Sequence, residues 1–449
     1  MKSSTSIKDI VKQELCTGCG VCISESPAAL KMQWDELGFL TPQKIGEDIN
    51  ENAIRVCPFN PYPDEGVKDE DKLANIYLKD AANYDSKIGR FENTYIGYSN
   101  EYREVSSSGG IATYIFKKLL EDKIVDHLFI VKEVDGTYKY QFFNQVNDIT
   151  KISKTRYIPV TLEDLFLKIN EVDGKVAVSG VACFIKAIRL KQHYNPELKD
   201  KIPFLVGIIC GGLKSKFFTD YLAQKAGIDS SYSKQEYRIK DAESTSSNYS
   251  FGAFDEKNSF HQMKMSTVGD MWGTGLFKSN ACDFCDDVTT ELADISLGDA
   301  WLEPYNKDGL GNSVIISRSK IADNLIRKGI EYNHLDVKSL SPETLKLSQK
   351  GSFNHRNIGM KYRIQSRINM GLIIPYKRER LFVNIPYEFK IVQKYRLQVR
   401  KYSLIIWKEN PNSLFFDSKM QKIKNKLAGI TMYYHRIQRL KRILKLKTI

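Results

Sequence analysis

The sequence predicts a chain of mixed α+β and α/β class in three parts: a small N-terminal module organised by cysteines, a mixed-sheet α/β body and a basic helical extension. Three observations predict it. Four of the eight cysteines fall within residues 16–57; short apolar runs alternate with helix-patterned segments from about 91 to 350; and residues 351–449 hold 23 Lys or Arg against 4 Asp or Glu. The formal net charge of +13 therefore divides into about +19 on the extension and about −6 on everything before it, an asymmetry that marks the extension as a distinct electrostatic object. At 449 residues, 42% hydrophobic and 11% aromatic, the chain is long enough for two or three globular domains. It contains no apolar run of membrane-spanning length, and residues 1–10 are polar with no apolar signal region, which predicts a cytoplasmic protein with reduced thiols.

The N-terminal module is read from Cys16-Thr17-Gly18-Cys19-Gly20-Val21-Cys22 and from Cys57-Pro58. A cubane iron–sulfur cluster needs four thiolates converging on one small object, and two-residue spacers let three of them come from one tight loop. Gly18 and Gly20 suit that loop, which aims backbone N–H groups at the sulfurs. The pattern is that of a bacterial-type ferredoxin cluster, so residues 1–62 are expected to form a ferredoxin-like module with one 4Fe-4S cluster on Cys16, Cys19, Cys22 and Cys57. Position 26 is Ser before Pro27 and no second triplet precedes Cys57, which excludes a two-cluster module. A structural zinc site is the alternative, although zinc sites usually pair CxxC with CxxC.

A polar, charge-rich linker is expected over 63–90, followed by the body in two parts, 91–200 and 201–350. Cys183 follows the apolar run 176–178 and opens a helical-looking stretch, and Cys210 ends the strand-like run 204–209. Both sit at strand ends, where α/β folds place their chemistry. Cys282 and Cys285 form a CxxC in a loop. These four are the number a second four-thiolate cluster requires, with zinc, a redox dithiol and ordinary buried thiols as the other readings.

Earlier in the body, the strand-like run 94–99 is followed by Ser106, Ser107, Ser108, Gly109 and Gly110 and then by a helical pattern over 111–120 that includes Thr113. A Ser/Gly loop feeding a helix presents free N–H groups and the positive end of the helix dipole, an anion site suited to a cofactor phosphate. It matches no complete Walker or Rossmann fingerprint and reads equally as a plain N-capped helix. Arg156-Tyr157 combines a cation with an aromatic ring, a pairing that suits a phosphate and a flavin or an ordinary surface turn. Asp294 and Asp299 flank an apolar strand and are weak candidates for an acid, base or cofactor anchor, against a structural role capping the strand's loop. The six histidines show no ligand spacing.

Taken together, the N-terminal cysteine run, residues 107–113, Arg156-Tyr157, Gly180-Val181-Ala182-Cys183, Gly207 to Cys210-Gly211-Gly212, Cys282 to Cys285, and the string 292–301 ending in Gly298-Asp299-Ala300-Trp301 resemble the coenzyme F-420 hydrogenase/dehydrogenase beta-subunit family, which includes 7-hydroxymethyl chlorophyll a reductase. The pieces occur in the family's order over about residues 10–350, in the style of bacterial members found with polysaccharide-synthesis enzymes. One departure is that the family's usual Gly-Thr-Pro-Cys-Gln reads Gly180-Val181-Ala182-Cys183-Phe184 here. The resemblance implies one or two 4Fe-4S clusters and FAD or FMN, with Ser107, Ser108, Gly109, Gly110, Thr113, Arg156 and Tyr157 at the flavin. It also implies an oxidoreductase that passes electrons between ferredoxin, or coenzyme F-420, and a small or lipid-linked substrate. The alternative is a non-catalytic electron-transfer subunit serving a separate enzyme.

In the extension, Met420, Ile423, Leu427, Ile430, Ile437, Leu440 and Leu444 recur at three and four residues with cations on the other faces. This predicts an amphipathic basic helix over 418–449, suited to peripheral contact with an anionic membrane; an acidic partner or plain solvation are the alternatives. No nucleic-acid-binding module is recognisable, so a nucleic-acid partner is not expected.

Overall fold

The computed structural model describes residues 5–444, so the last five residues of the expected 418–449 helix lie outside the described residues. Its body is built on one eight-stranded mixed sheet: β1 (Asn93–Ser99), β2 (His127–Val134), β3 (Thr137–Phe143), β4 (Val176–Val181), β5 (Phe204–Ile208), β6 (Ile295–Asp299), β7 (Ser313–Ser317) and β8 (Leu335–Ser339). The order across the sheet is β8-β1-β7-β6-β5-β4-β2-β3. The central strands β2, β4, β5 and β6 are parallel, and antiparallel strands flank them on both sides.

The parallel centre reads as continuous apolar sequence because both faces are covered. Along β4, Val176 and Val178 point to one face and Ala177 to the other; on β5, Leu205 opposes Phe204 and Val206. One face packs the helix Ile111–Glu121 and the helix Lys320–Glu331 through Ile115, Leu119, Ala322 and Leu325. The other face takes the helix Ala182–Tyr194, through Phe184, Ile185 and Ile188, and the N-terminal module, through Val21 and Ile23. That module is a short capped helix, Ile7–Lys12, a cysteine loop and the hairpin Leu30–Trp34/Leu40–Lys44. It is sewn to the body by Leu162 N–H on the Cys19 carbonyl at 2.9 Å and Met32 N–H on the Glu163 carboxylate at 3.0 Å.

Two segments differ from expectation. Residues 63–90 are not a bare connector: they carry the helix Glu70–Tyr77, whose Leu73 is buried and whose Glu70 pairs with buried Lys186 at 3.1 Å. The basic extension is not a separate object either. Its first half wraps the body, burying Arg356, Arg363 and Arg367 and pairing buried Lys377 and Arg378 with Asp286 and Glu291. Its second half is an antiparallel pair of helices, Tyr387–Glu409 and Ser413–Ile443. Phe416, Met420, Leu427 and Tyr434 of the second helix pack on Phe389, Val392, Val399 and Trp407 of the first, so much of the apolar stripe is spent inside the chain. Leu440 and Leu444 remain exposed at the far end. Among the described residues no helix is long and apolar enough to cross a membrane.

Candidate electron-transfer site

Cys16, Cys19, Cys22 and Cys57 line one small cavity with Ile7, Ile10, Val56 and Pro58. Local geometry makes this inevitable for the first three. Gly18 and Gly20 take φ of +75° and +76°, which folds the loop back on itself. At Gly18 a Cβ would stand 2.8 Å from the Leu40 carbonyl oxygen, and its N–H donates to the Cys16 sulfur at 3.4 Å. Burial pushes the Cys16, Cys19 and Cys57 thiols up to about 12.

The other four cysteines come from three places. Cys183 lies in the first turn of the helix that follows β4, Cys210 lies just past the end of neighbouring β5, Cys282 lies within a short turn, Ala281–Phe284, and Cys285 just past it. Parallel strands side by side bring the first two to one edge of the sheet. The Cys183 thiol is held well above its ordinary value by burial first, then by Cys285, Cys282 and Cys210 in that order. Gly212 N–H donates to the Cys210 sulfur at 3.2 Å, Leu213 N–H to the Cys282 sulfur at 3.1 Å and Arg356 to the Cys285 sulfur at 3.3 Å.

The two sets adjoin. Cys16 and Cys57 of one and Cys183 and Cys285 of the other pack on a single apolar cluster of Ile10, Leu15, Phe59, Ala281, Phe284 and Met360. Lys377, buried over the Phe59 ring at 4.6 Å, acts by its charge on both Cys57 and Cys285. Tetrahedral zinc holds its sulfurs within about 4 Å of one another. Among the described residues no three His, Cys, Asp or Glu side chains are packed tightly enough for a single metal ion, so neither set is drawn onto one point.

Between the two inner loop cysteines sits Asp283, a residue sequence reasoning passed over. Its carboxylate receives Lys278 at 2.5 Å, Arg400 at 3.0 Å and His355 at 3.2 Å, and its carbonyl receives Arg363 at 2.6 Å. These cations outweigh burial and hold Asp283 well below the carboxylate range. Burial and the cations hold His355 well below its ordinary value, so it serves here as a neutral spacer. No local pattern in the sequence announces this network, because its members lie more than 70 residues apart in several cases.

The Ser/Gly loop enters the helix Ile111–Glu121 through Gly110, at φ +78°. Ser107 accepts from Thr155 N–H at 2.9 Å, Thr113 bonds Ser106 at 3.2 Å, and Ser108 donates to the Asn312 carbonyl at 3.2 Å. The loop is thus ordered, and residues 153–156 lie beside it. Arg156 stacks over Tyr138 at 4.2 Å and donates to the Thr155 carbonyl at 3.1 Å. Tyr157 turns away into a ring cluster with Trp272, at 4.7 Å, and Tyr237, at 5.4 Å. Sequence reasoning missed Arg238 and Lys240, which reach the same loop cluster from the strand Tyr232–Ile239 and the residue after it. Lys240 donates to the Ser108 carbonyl at 2.7 Å and to that of Arg103; burial, then Arg103, Arg238 and Lys154, pull it down to about 7. Arg238 has a buried Nε with no partner. Lys240 and Arg156, which pair with no carboxylate among the described residues, stand beside this helix N-terminus and fit an anionic group.

Asp299 and Asp294 stand at opposite ends of β6. Asp299 pairs with Arg238 at 2.5 Å on the Ser/Gly side, beside Trp301. Asp294 accepts from Leu205 N–H at 2.9 Å and pairs with buried Arg189 at 3.1 Å, a structural brace at the far edge.

The chain is similar to known proteins over its body. Two family models, for the N-terminal and the C-terminal parts of the coenzyme F420 hydrogenase/dehydrogenase beta subunit, match residues 94–166 and 173–343 respectively. Coenzyme F420 hydrogenase subunit beta of Methanosarcina barkeri is 26% identical over 292 residues, spanning 62% of this chain and 92% of that protein. Coenzyme F420-dependent sulfite reductase of Methanocaldococcus jannaschii is 24% identical; the alignment covers 65% of this chain and 43% of that protein. The F polypeptide of the F(420)H(2) dehydrogenase of Methanosarcina mazei is 21% identical, over 68% of this chain and 82% of that one. A chain of the F420-reducing NiFe hydrogenase complex from Methanosarcina barkeri superposes with a TM-score of 0.50 at 20% identity, covering 66% of this chain and 99% of that chain, a likeness of fold.

Proposed function

Since this chain belongs to the coenzyme F420 hydrogenase/dehydrogenase beta-subunit family, we propose that it is an iron–sulfur flavoprotein of the electron-transfer oxidoreductase type, with Cys16, Cys19, Cys22 and Cys57 holding one 4Fe-4S cluster and Cys183, Cys210, Cys282 and Cys285 a second. The observation that carries the reading is the single apolar cluster on which both cysteine sets pack. Ser107, Ser108, Gly109, Gly110, Thr113 and Arg156, joined by Lys240 and Arg238, bind the phosphates and ring of FAD or FMN; the buried, unpartnered Arg238 Nε and the placing of Lys240 and Arg156 against the loop support that role. When bound, clusters exchange single electrons and a flavin exchanges one or two, so the pair joins one-electron and two-electron chemistry.

The residues of the chain supply the setting. The apolar cluster excludes water between the two thiol sets, Lys377 offsets negative charge shared by them, and the glycine N–H groups donate to sulfur. Asp299, fixed by Arg238, stands on the flavin side as the candidate proton carrier, whereas Asp294 braces the sheet. The electron donor is ferredoxin or a deazaflavin such as coenzyme F420, and the acceptor a small or lipid-linked substrate, of the kind met in polysaccharide synthesis. Leu440, Ile443 and Leu444 lie exposed near Arg439 and Arg442, which supports peripheral contact of residues 418–444 with an anionic membrane on the cytoplasmic side.

A second reading is favoured by the relatives named as subunits, of a hydrogenase and of a dehydrogenase. On that reading the chain delivers electrons to a partner that performs the chemistry. Iron, sulfide, zinc and flavin content of anaerobically purified protein tests the first level: about eight iron, eight sulfide and one flavin are expected, and zinc without iron or flavin overturns the proposal. Substrate turnover by the isolated chain under dithionite separates an enzyme from a subunit that reduces rapidly and then waits for its partner.

A further inference from the structure

The two thiol sets are met by different donors. In the N-terminal set the backbone N–H groups of Gly18, Val21 and Phe59 and the Thr17 hydroxyl serve Cys16, Cys19 and Cys57, and Lys186 and Lys377 act on Cys57 through charge alone. The inner set receives backbone N–H groups from Gly212 and Leu213 and, in addition, a guanidinium. Arg356 is 4% exposed and sits on a π-helical turn, Asn354–Ile358, immediately after the body. One of its nitrogens donates to the Cys285 sulfur at 3.3 Å and to the Asp287 carbonyl; the other donates to the Cys210 carbonyl at 2.5 Å. It thus spans two of the three segments that supply the inner cysteines. Residue 356 lies outside both matched family segments, which end at 343, so this donor comes from the chain's own extension.

Adding an electron to a buried cluster adds negative charge where water cannot screen it. Hydrogen bonds to the sulfurs and nearby fixed charge are the protein's levers on that cost. A π-helical turn inserts an extra residue into the helical register, a distortion often found at functional sites; here it coincides with the residue that carries the guanidinium.

We infer that Arg356 holds a cluster on Cys183, Cys210, Cys282 and Cys285 at a higher reduction potential than a cluster on the N-terminal set, so that electrons from a one-electron donor run inward. Each transfer oxidises the donor by one electron and reduces the inner site by one. The inference rests on the cluster assignment proposed above and concerns a positioning residue, since Arg356 acts through the thiolates.

The test is an EPR-monitored potentiometric titration of the full chain, purified anaerobically, with iron counted in the same samples. In the wild type the inner midpoint lies above the N-terminal one. Arg356→Gln lowers the inner midpoint by at least the tenfold change in reduced-to-oxidised ratio that equals about 59 mV for a one-electron couple, and leaves the N-terminal midpoint in place as an internal reference. Eight irons with both midpoints unmoved overturn the inference, as does a wild-type inner midpoint below the N-terminal one. Four irons in the wild type overturn the cluster assignment itself before Arg356 is touched. Where the Gln variant loses inner iron, Arg356→Lys carries the measurement: it keeps the cation without the two-armed bond, a smaller fall is expected, and a midpoint equal to wild type overturns the inference.

Discussion

The N-terminal cysteine set draws three of its four thiols from the seven residues 16–22, whereas the inner set gathers its four from segments around 183, 210 and 282–285. Both use the same small device: a cysteine, one spacer and a glycine at positive φ whose N–H turns back onto the sulfur, Gly18 on Cys16 and Gly212 on Cys210. They differ in what surrounds that device. The N-terminal loop is closed by local backbone, while the inner set is braced by buried ions recruited from residues 278 to 400. A local loop can be built by spacing alone; a set assembled from distant segments needs long-range partners to fix it, and here these are Lys278 of the body with Arg356, Arg363 and Arg400 of the extension.

The largest effect that breaks the comparison is at the thiols themselves. Cys19→Ser and Cys282→Ser are each expected to remove about four of eight irons, with the other set retained; loss of all iron from either variant means the two sites are one unit. Next comes Asp283→Ala, which strands Lys278, Arg400 and His355 around a vanished carboxylate and is expected to cost about 3–5 kcal/mol in urea unfolding. Thr17→Val, in the N-terminal loop, removes one hydroxyl beside Cys19 and is expected to cost only about 1 kcal/mol. Equal costs for the two would erase the distinction between ionic and backbone bracing.

The glycine device sharpens the likeness instead. Gly18→Ala and Gly212→Ala both force an L-residue into positive φ, at +75° and +127°, for about 1–3 kcal/mol each. Each is expected to weaken iron retention only at its own set, read by iron content after gel filtration. The effect spread most thinly over the conditions is a pH slope, to which the inner side contributes through Lys214. Lys214 is buried beside Trp272, donates to the carbonyls of Met271 and Leu276, and is brought down to about 7 by burial and Lys278. Above about pH 7 the folded chain sheds this proton while the unfolded chain keeps it to about 10.5, so stability rises with pH across that window. The slope is about 1.4 kcal/mol per pH unit. Lys214→Met is expected to remove that contribution, leaving the one from Lys240; an unchanged slope means Lys214 keeps its proton in the folded chain.

Much of this molecule was legible from one dimension. The triplet Cys16, Cys19 and Cys22, the apolar runs that become β4, β5 and β6, and the Ser/Gly entry to the helix Ile111–Glu121 are short-range patterns, and backbone geometry converts spacing of that kind directly into shape. The amphipathic period read over residues 418–449 was equally plain, yet its partner was not, because a stripe of Met420 and Leu427 fits a membrane or a neighbouring helix alike. What sequence alone determined is therefore local: which residues turn, which strands are buried on both faces, which thiols share a loop. Tertiary structure decided the rest, placing Arg356 on Cys285, Lys240 on the Ser/Gly loop and Lys377 between the two cysteine sets. A run of cations carries the same net charge in solution or in a core. Only the fold, by burying each beside a particular acid or sulfur, gives it a partner and makes it part of a site.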